Sequence, residues 1–182
     1  MILWIIVAIV VLLVIIYISI YNKIIKMKNR VEASFAQLDA HLKQRYDLIP
    51  NLVEIVKGYA THEKETLTAV IAARNSAIGA DTVDEKENAN KSLSGALKSV
   101  FALAEAYPDL KANEGFVKLQ NQLAEVEEKI LQARKYYNAV IREFNNLVEV
   151  FPSSIIAGIM HQAKRTYLEI EETERKRVDI KF

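Results

Sequence analysis

"LKQRYDLIPNLVEIVKGYATHEKETL", Leu42–Leu67, decides the fold, because it puts Pro50 into a stretch that otherwise repeats apolar residues at helical spacing. In a helix interior a proline removes a hydrogen bond and crowds the preceding turn, at about 3 kcal/mol. In a first turn it costs little. Asp47 is a good N-cap, and Pro50 would then lie in the first turn of a new helix. The economical expectation is that "RYDLIP" ends one helix and starts the next, with Asp47 and Pro50 as the turn residues. The alternative is a single kinked rod, since the apolar spacing continues across Pro50 with one irregular step.

The surrounding seams give this stretch its context. Ile24, Lys28, Val31, Phe35, Leu38, Leu42, Arg45 and Ile49 precede Pro50, and Val53, Val56, Ala60, Glu63, Leu67, Val70, Arg74 and Ala77 follow it. Leu93, Leu97, Val100, Ala104 and Tyr107 form a shorter seam. The clearest runs Phe116, Leu119, Leu123, Val126, Ile130, Ala133, Tyr137, Val140, Phe144, Leu147 and Phe151, in unbroken steps of three and four. That is the pattern of left-handed helix packing. Asn113 is the expected start of this last helix and Phe151-Pro152 its stop. "GADTVDEKEN" reads as a polar connector and "YPDLKAN" as a turn. The expected fold is all-α: an N-terminal transmembrane helix, then an antiparallel up-and-down four-helix bundle. The expected divisions are an anchor over 1–22, a bundle over 23–160 and a C-terminal tail over 161–182.

The anchor is "MILWIIVAIVVLLVIIYISIYN", which carries no charged side chain. Ile2–Tyr21 as a helix matches the roughly 30 Å hydrocarbon core of a bilayer. Trp4, Tyr17 and Tyr21 fall where aromatic belts sit. A buried core helix would need more protein around it than this chain supplies. A cleaved signal peptide would want leading basic residues, a shorter apolar run and a small-residue cleavage site. Lys23, Lys26, Lys28 and Arg30 follow directly, and by the positive-inside rule the C-terminal domain is expected in the cytoplasm, with a short N-terminus outside. These cations could also attract anionic lipid at about 1 kcal/mol apiece.

The remainder is charge-balanced, with 24 basic and 23 acidic residues in the whole chain. No clustered basic face points to nucleic acid. There is no cysteine, which removes disulfides, thiol nucleophiles and thiolate metal sites. His62-Glu63 begins the zincin pattern, but "HEKET" has Thr66 where the second histidine ligand belongs. A di-iron bundle needs glutamate three residues before histidine, and Leu38, Tyr59 and Gly158 stand before His41, His62 and His161. No glycine-rich phosphate loop occurs, and no small-molecule substrate, metal or cofactor is expected.

Polar residues on or beside the seams are the remaining candidates. Arg45, Glu63 and Arg74 sit where leucine would pack better, Glu127 and Arg134 flank the last seam, and Asn138 and Asn145 stand a heptad apart. One arrangement joins Arg45, Asp47 and Asn51 at the turn. Another joins Arg74 with Glu127 and Arg134. Such networks fix register more than they stabilise. The competing arrangement is edge residues with solvated heads and buried stems. "IIAGIM", Ile155–Met160, arrives close to the membrane surface and is expected to cap the open end of the core, the competing arrangement being contact with lipid. "RVDIKF", Arg177–Phe182, alternates in strand fashion and could add to a partner's sheet edge, against a frayed terminus or one packed along its own bundle.

Taken together, "RYDLIPNLVEIVKGYATHEKETL", "AARNSA", "YPDLKAN", "FVKLQNQL", "EEKILQARKYYNAVIREFNNLVEVFPSSIIAG" and "VDIKF" resemble the LemA family of bacterial membrane-anchored helical proteins. The resemblance implies a four-helix bundle on a single-span anchor, no established catalysis, and a loose link to the envelope and to membrane metalloproteases. Two features depart from the family pattern: Met160-His161 replaces an aromatic after "IAG", and the proline before the final valine is missing. The expected function is a non-enzymatic scaffold or interaction protein of the bacterial envelope that self-assembles into a homo-oligomer, with membrane lipid and an envelope protein as partners. The competing classes are a sensor or regulatory partner of a membrane protease or other envelope protein, and an enzyme, which the residue inventory disfavours.

Overall fold

The computed structural model describes residues 1–169. It is helical: α1 Ile2–Tyr59, α2 Lys64–Ile78, α3 Val83–Ala104, α4 Pro108–Lys111, α5 Glu114–Glu149 and α6 Ser153–Ile159, with no strand among the described residues. The chain divides into two units, one built from 1–37 and 133 onward, the other from 38–132. The expectation for Arg177–Phe182 lies outside the described residues.

The turn expected at Asp47 and Pro50 does not form. α1 runs through Pro50 and ends at Tyr59. Two physical facts reverse the expectation. Ile49, Leu52, Val53 and Val56 are all buried on the inner face while Pro50 itself is exposed. Burying such side chains contributes about 1.5–3 kcal/mol each, which outweighs the ~3 kcal/mol proline penalty. The second fact is a side chain. Proline has no N–H to donate to the carbonyl four residues back, which is that of Tyr46. Arg74 Nε of α2 donates to that oxygen instead, at 2.8 Å. The chain breaks ten residues later than expected, at Ala60–Glu63, just past Gly58, the one glycine of α1. Glycine costs a helix about 1 kcal/mol relative to alanine.

In the unit from 38 to 132, a short link folds α3 back along α2. The connector expected from Gly79 to Asn90 shrinks to this link because Thr82 starts α3 with a capping box. Its hydroxyl accepts from Glu85 N at 3.2 Å, and the Glu85 carboxylate accepts from Thr82 N at 3.0 Å. The backbone N–H groups of Thr82 and then Asp81, both donating to that carboxylate, hold the Glu85 carboxyl below the ordinary range. Leu93, Leu97, Val100 and Ala104 of α3 are buried, as their spacing requires. The turn expected at "YPDLKAN" holds the single-turn α4, with Pro108 in its first turn. Asn113 Oδ1 accepts from Phe116 N at 2.9 Å and so caps α5. Phe116, Leu119, Leu123, Val126 and Ile130 lie inward along α5, and Phe116 meets Phe101 edge-on with centroids 6.2 Å apart.

In the other unit, the α5 seam continues through Ala133, Tyr137, Val140 and Phe144, all buried. Its last members emerge, Leu147 half-buried and Phe151 exposed, as α5 ends at Glu149. Phe35 of α1 packs against Tyr137, centroids 5.7 Å apart. α6 lays Ile156 and Ala157 on Ile24, with Ile20, Leu147, Val148 and Met160 around them. The first turns of α1 stand apart from this packing. Every residue from Met1 to Ile18 is exposed. Hydropathy makes this stretch long and apolar enough to cross a membrane.

Candidate functional site

Two polar constellations stand out. The first is a pair of asparagine clamps on α5. Asn138 Nδ2 donates to the carbonyl of Leu168 at 2.8 Å, and its Oδ1 accepts from Leu168 N at 2.9 Å. Asn145 makes the same pair of bonds with Arg165, both at 2.9 Å. Each amide thus holds one residue of the extended chain that follows α6 by both backbone groups. The spacing explains the match. Seven residues of helix rise about 10.5 Å, and three residues of extended chain span about 10 Å. An asparagine amide offers a donor and an acceptor side by side, as a peptide unit does. Side chains add to the grip: Leu168 is buried, Arg165 lies 5.4 Å over the Phe144 ring, and Lys164 pairs with Glu149 at 2.6 Å. The arrangement holds a peptide backbone without reading its sequence.

The second constellation surrounds Arg45 in the other unit. Its side chain is 3 % exposed. Nη2 donates to Ser94 Oγ at 2.7 Å, and Nε lies 3.4 Å from Glu127 Oε2. Next to it, the buried Tyr46 hydroxyl donates to Asn90 Oδ1 at 3.0 Å, and Asn90 Nδ2 donates to the Lys86 carbonyl at 2.7 Å. Burial pushes the Tyr46 phenol above its ordinary value, the Asn90 bond opposing this. Lys86 also pairs with Asp39. Arg45, Ser94, Phe101, Leu123 and Glu127 line a pocket of about 320 Å³.

The expected networks are partly rearranged. Arg45 and Glu127 come together, but Asp47 and Asn51, expected beside Arg45, are exposed. Arg74 serves the Tyr46 carbonyl and also reaches Asn75 Oδ1, at 3.4 Å. Glu63 is half-buried and accepts from the Tyr107 hydroxyl at 3.4 Å. Arg134 belongs to the unit of the clamps and is half-buried there. His62 sits in the break before α2 and is exposed. Among the described residues, no group of three histidine or acidic side chains could hold a metal ion.

Of the interface residues, Trp4, Tyr17 and Tyr21 are exposed, with the two tyrosine rings 6.3 Å apart. Lys23 and Lys26 are exposed, and Lys28 is half-buried 3.9 Å from Glu32. Arg30 is held to α5: Nη1 meets Glu143 at 2.8 Å, Nε donates to the Tyr136 hydroxyl at 3.4 Å, and the guanidinium lies 5.8 Å from that ring. The Tyr136 bond, then the Glu143 charge, raise its pKa.

Asn90 was missed because the polar stretch from Gly79 to Asn90 reads as a connector. The α3 seam extended backward from Leu93 by three lands on it. The asparagine clamps carried a signal, their heptad spacing beside an apolar seam, but the segment that meets them has no periodicity to announce it.

These elements define a class: an all-helical protein whose first helix begins as a bare apolar segment and continues into a packed helical region. The LemA family model matches residues 34–182, and the chain belongs to the LemA family. It is similar to Protein LemA of Metamycoplasma hominis, at 25% identity over 167 residues, covering 90% of this chain and 75% of the relative.

Proposed function

We propose that the chain is a single-span, membrane-anchored helical scaffold without catalytic activity, its C-terminal domain in the cytoplasm, that assembles with copies of itself and with an envelope protein. One observation carries the anchor: the apolar stretch that opens α1 is exposed along its length, and a surface of that size needs a non-aqueous partner. Lys23, Lys26, Lys28 and Arg30 at its C-terminal end set the orientation by the positive-inside rule. In the unit from 38 to 132, α1, α2, α3 and α5 act as an antiparallel four-helix bundle. The clamps support self-assembly. Because Asn138 and Asn145 bind only backbone atoms, the tail of a neighbouring copy satisfies them as well as the chain's own.

The absence of cysteine gives a clean test. Ile2→Cys and Ser99→Cys, each alone in the full-length chain, are exposed to an impermeant maleimide on spheroplasts. Ile2→Cys is expected to label on intact spheroplasts and Ser99→Cys only after lysis. The reverse pattern overturns the orientation, and release of the protein by a carbonate wash overturns the anchor.

A further inference from the structure

α6 faces two ways. Ser153, Ile156 and Ala157 turn inward, at 8 %, 6 % and 1 % exposure, while Ile155 and Ile159, one turn apart on the opposite face, are 58 % and 61 % exposed. Just before the helix, Val150 and Phe151 are 58 % and 75 % exposed. A short helix on a water-facing surface would carry polar side chains outward. Here no charged residue occurs from Val150 to Met160. The position of this patch is fixed by its contacts. α6 rests on Ile24 and Ile20 of α1. Ile20 is within the apolar segment and Ile24 one turn beyond it, about 6 Å along the axis. The patch therefore stands level with the boundary between hydrocarbon and headgroups. At the same level of α1, Lys23 and Lys26 are exposed, so cations border the apolar surface as anionic lipid headgroups require.

We propose that α6 and Phe151 form a second membrane contact, lying in the headgroup–acyl boundary of the bilayer that α1 crosses. This rests on the membrane-anchor reading. Phe151, Ile155 and Ile159 enter the boundary, and Ile156 and Ala157 couple the contact to α1. The contact is that of an interfacial helix. It ties the end of α5 to the membrane and so sets the tilt of the domain.

The chain has one tryptophan, Trp4, which allows a test in full-length protein reconstituted in vesicles. On a Trp4→Phe background, Leu12→Trp reports the span, and Phe151→Trp and Ile159→Trp, at exposed positions, report the patch. Lipids with brominated acyl chains quench only tryptophans at membrane depth. The expected result is that all three reporters lose emission as the brominated fraction rises. Quenching of Leu12→Trp without quenching of Phe151→Trp or Ile159→Trp overturns the inference and leaves the anchor intact. If those two emit in the blue yet resist quenching, a protein surface covers the patch, and the inference is equally overturned. No quenching of Leu12→Trp overturns the anchor, and the inference with it.

Discussion

If Arg74 stands in for the N–H that Pro50 lacks, the two residues are energetically coupled. Arg74→Met keeps the aliphatic stem and removes the donor to the Tyr46 carbonyl. A hydrogen bond from a charged group contributes about 1.5–3 kcal/mol. Arg74 is half-exposed, so solvent screening reduces this to about 1 kcal/mol. Pro50→Ala restores the helix donor. It recovers part of the ~3 kcal/mol proline penalty, less the ~0.4–1 kcal/mol by which alanine loosens the unfolded chain. The net expectation is stabilisation by about 1–2 kcal/mol. In that background the Tyr46 carbonyl has its own helix partner, and Arg74→Met becomes nearly neutral. The coupling is therefore about 1 kcal/mol, or roughly 2–4 °C in midpoint for a chain of this size. Thermal melts of the four full-length proteins in mild detergent, followed by far-UV circular dichroism, measure it. Additive effects would refute the compensation. A Pro50→Ala protein less stable than the parent would refute the view that the proline is a tolerated defect.

Three further outcomes follow from the same geometry. Asn145→Leu removes both bonds to Arg165, each worth about 1 kcal/mol, so trypsin cleavage after Lys164 and Arg165 is expected to quicken roughly thirtyfold, with helix content unchanged. Glu85 has a depressed carboxyl in the folded state; its capping contribution is complete above the ordinary carboxylate range and is lost as pH falls through the depressed value. Glu85→Gln should flatten that acid dependence, and Thr82→Ala should cost about 1 kcal/mol at neutral pH, both read from denaturation midpoints against pH. Glu127→Ala removes the carboxylate 3.4 Å from the buried Arg45 guanidinium, and because Glu127 is half-exposed the loss should be about 1–3 kcal/mol, below that of a fully buried pair. Arg45→Met together with Glu127→Leu should return close to the parent, and a double variant as unstable as the single one would refute the pairing.

The buried seams were legible because helical spacing is local. Ile24 to Ile49, Leu93 to Ala104 and Phe116 to Phe144 follow from steps of three and four, and the structure buries nearly all of them. Pro50 misled because its local penalty was weighed without its tertiary partner. Nothing within four residues of Pro50 announces that Arg74 will supply the donor. Thr82 and Glu85 form a capping box three residues apart, a local signal overlooked inside a polar stretch. The clamps required knowing that the chain after α6 returns along α5. Asn138 and Asn145 were visible as a pair, but their partners are backbone atoms of Leu168 and Arg165, and every residue has those. The outward face of α6 was ambiguous for a related reason, since the six-residue apolar run Ile155–Met160 can serve as core or as surface, and the core reading was preferred.

The most direct test of the scaffold is the mass of the full-length protein extracted in mild detergent, by light scattering or native mass spectrometry. The account predicts one discrete species several times the 20.7 kDa chain mass, shifted towards the monomer by Asn138→Leu with Asn145→Leu. A strictly monomeric protein across the working concentration range would contradict self-assembly.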